Sequence, residues 1–323
     1  MKARTIFKII DVSFDPVQNN GYGAFIKKNG ISVTKDIVYD KNIPDIRVGD
    51  LYVKDALLTE PDAKLPVFIN IHGGGFVAGD KIHRRYFSAY VADIGYAVFN
   101  INYGLSPEYK FPFCLLSIIK ALDWVADNAE KYGFDTSKIV MSGDSAGANL
   151  AALGGIVASN PKFVEALDAQ MPAAKPTALL LCCGPYDITT ALQSNIPFDL
   201  LNKIITEATG YDKDHVNEFK YLNEFSPIEY INESYPKTFL IYSAKDIFCR
   251  QQGEVFEKLL KEKNISVSSF HSTSLLDNHC FHLNHNFKVA KAALDRSKEF
   301  LLSILNDGKT TEETPTEDIT VSV

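Results

Sequence analysis

"IVMSGDSAGANLAALGG", residues 139–155, decides how this chain is read. An apolar run ends at Ser142, Gly143-Asp144-Ser145-Ala146-Gly147 follows, and small residues of helical character come next. G-x-S-x-G between a strand and a helix has a physical rationale. The serine takes a strained backbone at a sharp turn, and a glycine two residues to either side lets strand and helix approach without clashing. The Ser145 hydroxyl would then project above the carboxyl edge of a sheet, near the positive end of the following helix. Ser145 is the candidate nucleophile, with Gly143 and Gly147 as its steric supports. The alternative is a serine in an ordinary glycine-rich turn. Strand-like "KIVMS" before it and helical "AGANLAALGG" after it favour the nucleophile.

Working outward, "LPVFINI" (65–71), "YAVFNIN" (96–102), "TALLLCC" (177–183) and "KTFLIYS" (237–243) are short apolar runs, the pattern of strands buried on both faces. "SVSSFHS" (266–272) alternates and reads as an edge strand. Helical periodicity fills the intervals at 111–133, 146–159, 251–263 and 285–305. Strands alternating with helices predict an α/β fold, a mostly parallel central sheet flanked by helices. About fifty residues, 186–236, interrupt the rhythm with helical pieces "FDLLNKIITEATG" and "DHVNEFKYLN". Such a segment is too long for a plain loop. Together with residues 1–45 it is expected to form a helical cap on one domain spanning 1–305. The acidic, Thr-rich stretch 306–323 predicts a disordered tail.

Composition excludes several functions. The 323 residues hold 33 Lys+Arg against 40 Asp+Glu, a net charge of −7, with no basic cluster for nucleic acid. Five cysteines, an odd number without CxxC spacing, read as buried free thiols suited to a reducing compartment. The N-terminal apolar run is too short for a signal peptide, and no stretch reaches a membrane span. The expectation is a cytoplasmic protein without stable membrane insertion. Asn232 and Asn264 then match the glycosylation pattern by chance. Oligomeric state is left open.

A serine needs an oxyanion site and a base. "INIHGGGFVAGD" supplies the first, because His72-Gly73-Gly74-Gly75-Phe76 directly follows the strand at 65–71. The backbone N–H groups of Gly73, Gly74 and Ala146 are the candidate donors, Gly75 completes the loop, and His72 braces it. A phosphate loop would carry GK[ST] or G-x-G-x-x-G, and neither occurs here.

"HGGGF" and "GDSAG", linked by "YGLSPEYKFPFCLLSIIKALDWVADNA", resemble the hormone-sensitive-lipase-like family of α/β-hydrolase carboxylesterases. Of that family's Y-R-L-A-P-E stretch, Tyr103, Leu105, Pro107 and Glu108 match, while Gly104 and Ser106 depart. The resemblance runs from about residue 50 to residue 305. It implies an α/β-hydrolase sheet, a cap built partly from the N-terminus, and ester hydrolysis without a cofactor.

The order Ser…Asp/Glu…His then directs the search. "KTFLIYSAKDIFCRQQG" offers Asp246 as the acid, where the family pattern resembles D-P-L-x-D-x-G. Ile247 replaces its proline, Arg250 its second acid, and the glycine is displaced to Gly253. An N-cap role is the alternative for Asp246, and Asp187 is the fallback acid. In "LLDNHCFHLNHN", His279-Cys280-Phe281 resembles the family's H-G-F, which selects His279 as base over His282. His279, His282 and His285 with Cys280 also raise a metal reading, set aside because the triad already accounts for the loop. No cofactor and no metal are expected. Asp144 is read as support for neighbouring loops. The expected chemistry is acyl transfer from a small ester of short to medium acyl chain through an acyl-enzyme. The alternatives are amide or lactone hydrolysis and a non-catalytic small-ligand receptor on the same scaffold.

Overall fold

The structure, a computed structural model, describes residues 2–59, 64–194, 196–274 and 277–306. Eight strands form one sheet: β1 Ile31–Val38, β2 Val48–Lys54, β3 Leu65–Ile71, β4 Ala97–Ile101, β5 Phe134–Asp144, β6 Ala178–Cys182, β7 Lys237–Ser243 and β8 Val267–Ser272. Their order is β1-β2-β4-β3-β5-β6-β7-β8. Pairing is antiparallel from β1 through β4 and parallel from there to β8. The sheet is mostly parallel, as expected, and β8 lies at its edge.

Period-two alternation explains why these runs are strands. Val67, Ile69 and Ile71 enter the core on one face of the sheet, and Phe68 enters the other. Ile139 and Met141 divide from Val140 in the same way, as do Leu179 and Leu181 from Leu180. Each such fully buried side chain contributes roughly 1.5–3 kcal/mol. The main helices are α1 Ala3–Gln18, α2 Tyr22–Asn29, α3 Arg85–Ile94, α4 Phe113–Asp127, α5 Ala146–Ser159, α6 Leu200–Thr209, α7 Gln252–Glu262 and α8 Lys288–Asn306. Helices α4, α5 and α7 cover the first face, and α3 and α8 cover the second.

The helix expected over 111–133 is α4 followed, after Asn128, by a separate turn at Ala129–Tyr132. Pro112 stands at its N-cap, and Gly133 ends the turn at φ 69°. The piece "DHVNEFKYLN" is not a regular helix: only Val216–Glu218 forms a 3-10 turn, whereas "FDLLNKIITEATG" contains α6. Five of these labelled elements went unread in the sequence, namely α1, α2, α3, β1 and β2. β1 has one buried residue, Ile31, so its alternation carries little apolar signal. No helix among the described residues is long and apolar enough to cross a membrane. Of the tail expected at 306–323, Asn306 instead ends α8, and residues 307–323 lie outside the described residues.

Candidate active site

At the junction of β5 and α5, Ser145 sits at φ 54° and ψ −121°. A serine in that region is strained, at a cost of order 1–3 kcal/mol, and persists only where its surroundings over-determine it. Here they do. The Ser145 N–H donates to the Cys182 carbonyl at the end of β6 (2.8 Å), and α5 begins at the next residue. Gly143 and Gly147 leave no room for a side chain. A Cβ on Gly147 would overlap the Ile71 carbonyl, and one on Gly143 would overlap the Gly147 backbone. The spacing read in the sequence is thus a steric requirement.

The loop after β3 runs beside this turn. Gly74 takes φ 125°, a conformation glycine alone adopts readily, and its carbonyl accepts the N–H groups of Val77 and Ala78. Among the described residues, the N–H groups of Gly73, Gly74 and Ala146 make no turn, loop or cap hydrogen bond to the protein. His72 is buried, with Nδ1 2.7 Å from the Gly73 carbonyl and its ring stacked on Tyr103. Burial pushes its pKa down to about 4. A neutral imidazole there holds loop shape and cannot supply a charge at pH 7.

Asp246 follows β7 and is buried. Its Oδ1 accepts the N–H groups of Phe248 (2.8 Å) and Cys249 (2.9 Å). Both carboxylate oxygens face Nδ1 of His279, at 2.9 and 2.8 Å. Burial alone would raise this carboxyl, but His279 and the two amides hold it below the usual carboxylate range. Asp246 does not cap α7, whose N-cap position is Gln251 without a side-chain cap bond. Asp187, the fallback acid, instead caps the turn at Ile188–Ala191.

Nε2 of His279 lies 2.8 Å from Ser145 Oγ, so an unbroken hydrogen-bonded chain joins Asp246, His279 and Ser145. Asn278 steadies the His279 loop by accepting the Ile247 N–H (3.1 Å), and Ser243 donates to the Asp277 carbonyl (2.6 Å). The other two histidines are elsewhere. His282 is buried edge-on against Phe87 and Phe281, and His285 stacks on Tyr86 at 3.7 Å. Among the described residues, neither joins His279 in a group that could hold a metal.

His282, like His72, is pushed down to about 4 by burial. Both histidines are neutral in the fold and acquire a proton on unfolding once pH drops below about 6.5. Their stabilising contribution is therefore complete above about 6.5 and declines as pH falls towards 4, by up to about 3 kcal/mol each. Urea midpoints from pH 7 to 4.5 should fall, and His282→Gln should flatten that slope. An unchanged slope would remove His282 from this account.

Sequence reasoning placed Asp144 as a support but missed its partner. Arg84 grips it with Nε to Oδ1 (2.6 Å) and a terminal nitrogen to Oδ2 (2.7 Å), and both side chains are buried. Burial would raise Asp144, yet the Arg84 charge holds it below the usual range. An arginine sixty residues upstream of its partner gives no sequence signal of the pairing.

Two cavities of unequal size meet at Ser145. The larger, about 460 Å³, is bordered by His279, Gly74 and apolar side chains that include Phe7, Phe14 and Phe287. The smaller, about 60 Å³, lies beyond Ala146 between Phe76, Ile188, Ile205 and Phe225. Helix α1 walls the first cavity. It is pinned by the Arg4–Glu108 ion pair, by Arg4 Nε donating to the Val77 carbonyl, and by Asp15 with Arg85 and His83. Helix α1 went unread in the sequence, because its role depends on where the helix docks.

The BD-FAE family model matches residues 50–260, which is most of the chain and spans both the glycine loop and the Ser145 turn. The chain belongs to the BD-FAE family. Among curated relatives it is similar to esterase LipQ of Mycobacterium tuberculosis, 28% identical over 65% of this chain and 49% of that protein. It is also similar to hormone-sensitive lipase of Mus musculus, 31% identical over 46% of this chain and 20% of that protein. The chain therefore spans about half the length of LipQ and a fifth of the mouse lipase. Esterase B of Lactobacillus rhamnosis superimposes with a TM-score of 0.73 at 18% identity, covering 96% of this chain and 99% of that one. The BD-FAE chain has the α/β-hydrolase fold, and these likenesses agree with the hormone-sensitive-lipase-like resemblance of its motifs.

Proposed function

We propose that this chain is a serine hydrolase that cleaves carboxylic esters of short to medium acyl chains. The observation that carries the reading is the chain of hydrogen bonds from Asp246 through His279 to Ser145, opening onto two cavities. His279 takes the Ser145 proton as Oγ attacks the carbonyl carbon. Asp246 keeps the proton on Nδ1 and stabilises the imidazolium that forms. Gly73, Gly74 and Ala146 direct N–H groups at the tetrahedral oxyanion, each such donor being worth roughly 3 kcal/mol of barrier. His279 then returns the proton to the leaving alcohol, and water attacks the acyl-enzyme by the same route. Residues 1–305 act as one domain in this reading, with segments 1–45 and 186–236 as the cap over the substrate.

Proton delivery assigns the cavities. The leaving oxygen must lie beside Nε2 of His279, so the alcohol occupies the larger cavity and the acyl chain the smaller. About 60 Å³ admits only a few heavy atoms. Hydrolysis of p-nitrophenyl esters should peak at acetate to butyrate. Decanoate should fall about tenfold or more in kcat/KM, the effect of a 1–3 kcal/mol misfit. A flat profile or a long-chain optimum would refute the cavity assignment. If no ester is turned over and a fluorophosphonate leaves Ser145 unlabelled, while a small ligand binds, the receptor reading replaces this one.

A further inference from the structure

Three thiols surround the Asp246–His279 pair and take no part in the proposed chemistry. The thiols of Cys183 and Cys280 and a ring nitrogen of His279 all lie within 4.8 Å of one another. On the acid side, Cys249, Asp246 and His279 form a second group of that kind. All five cysteines are free.

Backbone conformation brings Cys183 and Cys280 to the same place. Cys183 leaves the end of β6 at φ 51°, where its N–H donates to the Ile241 carbonyl (2.8 Å). Cys280 directly follows His279 at φ 54° and ψ 33°. Both positions lie in the left-handed region, which suits glycine and strains a residue that carries a side chain. The H-G-F pattern carries glycine where Cys280 stands. Retaining a thiol at two strained positions that converge on one histidine calls for a use of the thiols. Cys280 is half-buried and borders the larger cavity, so a solute that reaches Ser145 also reaches this thiol.

We propose that Cys183, Cys280 and a ring nitrogen of His279 form a binding site for a soft divalent metal ion of the zinc and cadmium class, and that occupancy switches the hydrolase off. Two thiolates and an imidazole are a donor set that such ions favour, with water in the fourth tetrahedral position. Tetrahedral zinc bonds of about 2.3 Å to sulfur place two sulfurs about 3.8 Å apart. A closure of about 1 Å at most is therefore needed from the present arrangement. The ion replaces the two thiol protons, which pass to solvent, and no electrons are transferred. Inhibition follows whichever ring nitrogen is taken. At Nε2 the lone pair that accepts the Ser145 proton is occupied. At Nδ1 the ring loses Asp246, and its remaining proton moves to Nε2.

The inhibitory half of the proposal rests on His279 being the base, whereas metal binding does not. Cadmium titration of chelator-treated full-length protein, read by the ultraviolet cadmium–thiolate band, tests binding alone. One ion per chain is expected. Cys280→Gly, which suits the left-handed backbone, and Cys183→Ala should each weaken binding by about tenfold or more. Cys249→Ala should bind as the parent does. In parallel, micromolar zinc should suppress p-nitrophenyl butyrate hydrolysis reversibly with chelator. Cys280→Gly should keep most of its own metal-free rate. No band, or a band unchanged in both variants, overturns the site, and a band without loss of rate overturns the switch. A band in a chelated protein that hydrolyses no ester would keep the site and refute the esterase reading instead.

Discussion

Ser145→Ala and His279→Ala are each expected to lower kcat for p-nitrophenyl butyrate by about a million-fold, while His282→Ala should cost less than about tenfold. The equality of the first two is the informative part. In the proposed mechanism nucleophile and base act as one unit, so removing either removes nearly all that both provide. The hydrogen bond from Ser145 Oγ to Nε2 of His279 makes them that unit. His282 is buried against Phe87 and Phe281, while His279 makes the hydrogen bonds to Ser145 and Asp246, so the loss of His282 should appear in unfolding midpoint rather than turnover. Side-by-side rates and urea curves for the three variants decide the matter. If His282→Ala falls with Ser145→Ala while His279→Ala stays active, the base has been misassigned.

The second large effect concerns stability. Arg84→Ala should destabilise the protein by about 3–5 kcal/mol, the size expected when one partner of a buried ion pair is removed. The loss is set less by the attraction surrendered than by the Asp144 carboxylate left without its partner in a buried site. Asp144 directly precedes Ser145, so the turn should loosen as well. Adding Asp144→Asn to Arg84→Met removes both charges and should recover part of the stability. Urea unfolding of the single and double variants measures this. A double variant no more stable than Arg84→Ala would show that the pair's value lies in geometry rather than in charge.

Much of this architecture was legible because local chemistry specified it. Five of the eight strands are short apolar or alternating runs, and a sixth, β5, was seen at its apolar centre. The Ser145 turn was legible because Gly143 and Gly147 satisfy steric demands made within a few residues. Asp246 and His279 followed from chain order and from the resemblance of their short motifs. What escaped notice was decided by docking. β1 is half-exposed and forms by pairing with β2, and the apolar stripe of α1 gains its meaning from the cavity it walls.

By itself, then, the sequence determined a mostly parallel α/β sheet, the elbow at Ser145 and the glycine loop at 73–75, because period, steric room and turn chemistry act over a few residues. Only the tertiary structure set His279 against Ser145 and carried His282 and His285 away from it. It also paired Arg84 with Asp144, made one cavity at Ser145 far smaller than the other, and gathered three thiols around Asp246 and His279. These depend on contacts between residues tens to more than a hundred positions apart. Such contacts are fixed by how helices and loops pack on the sheet, and no local pattern encodes them.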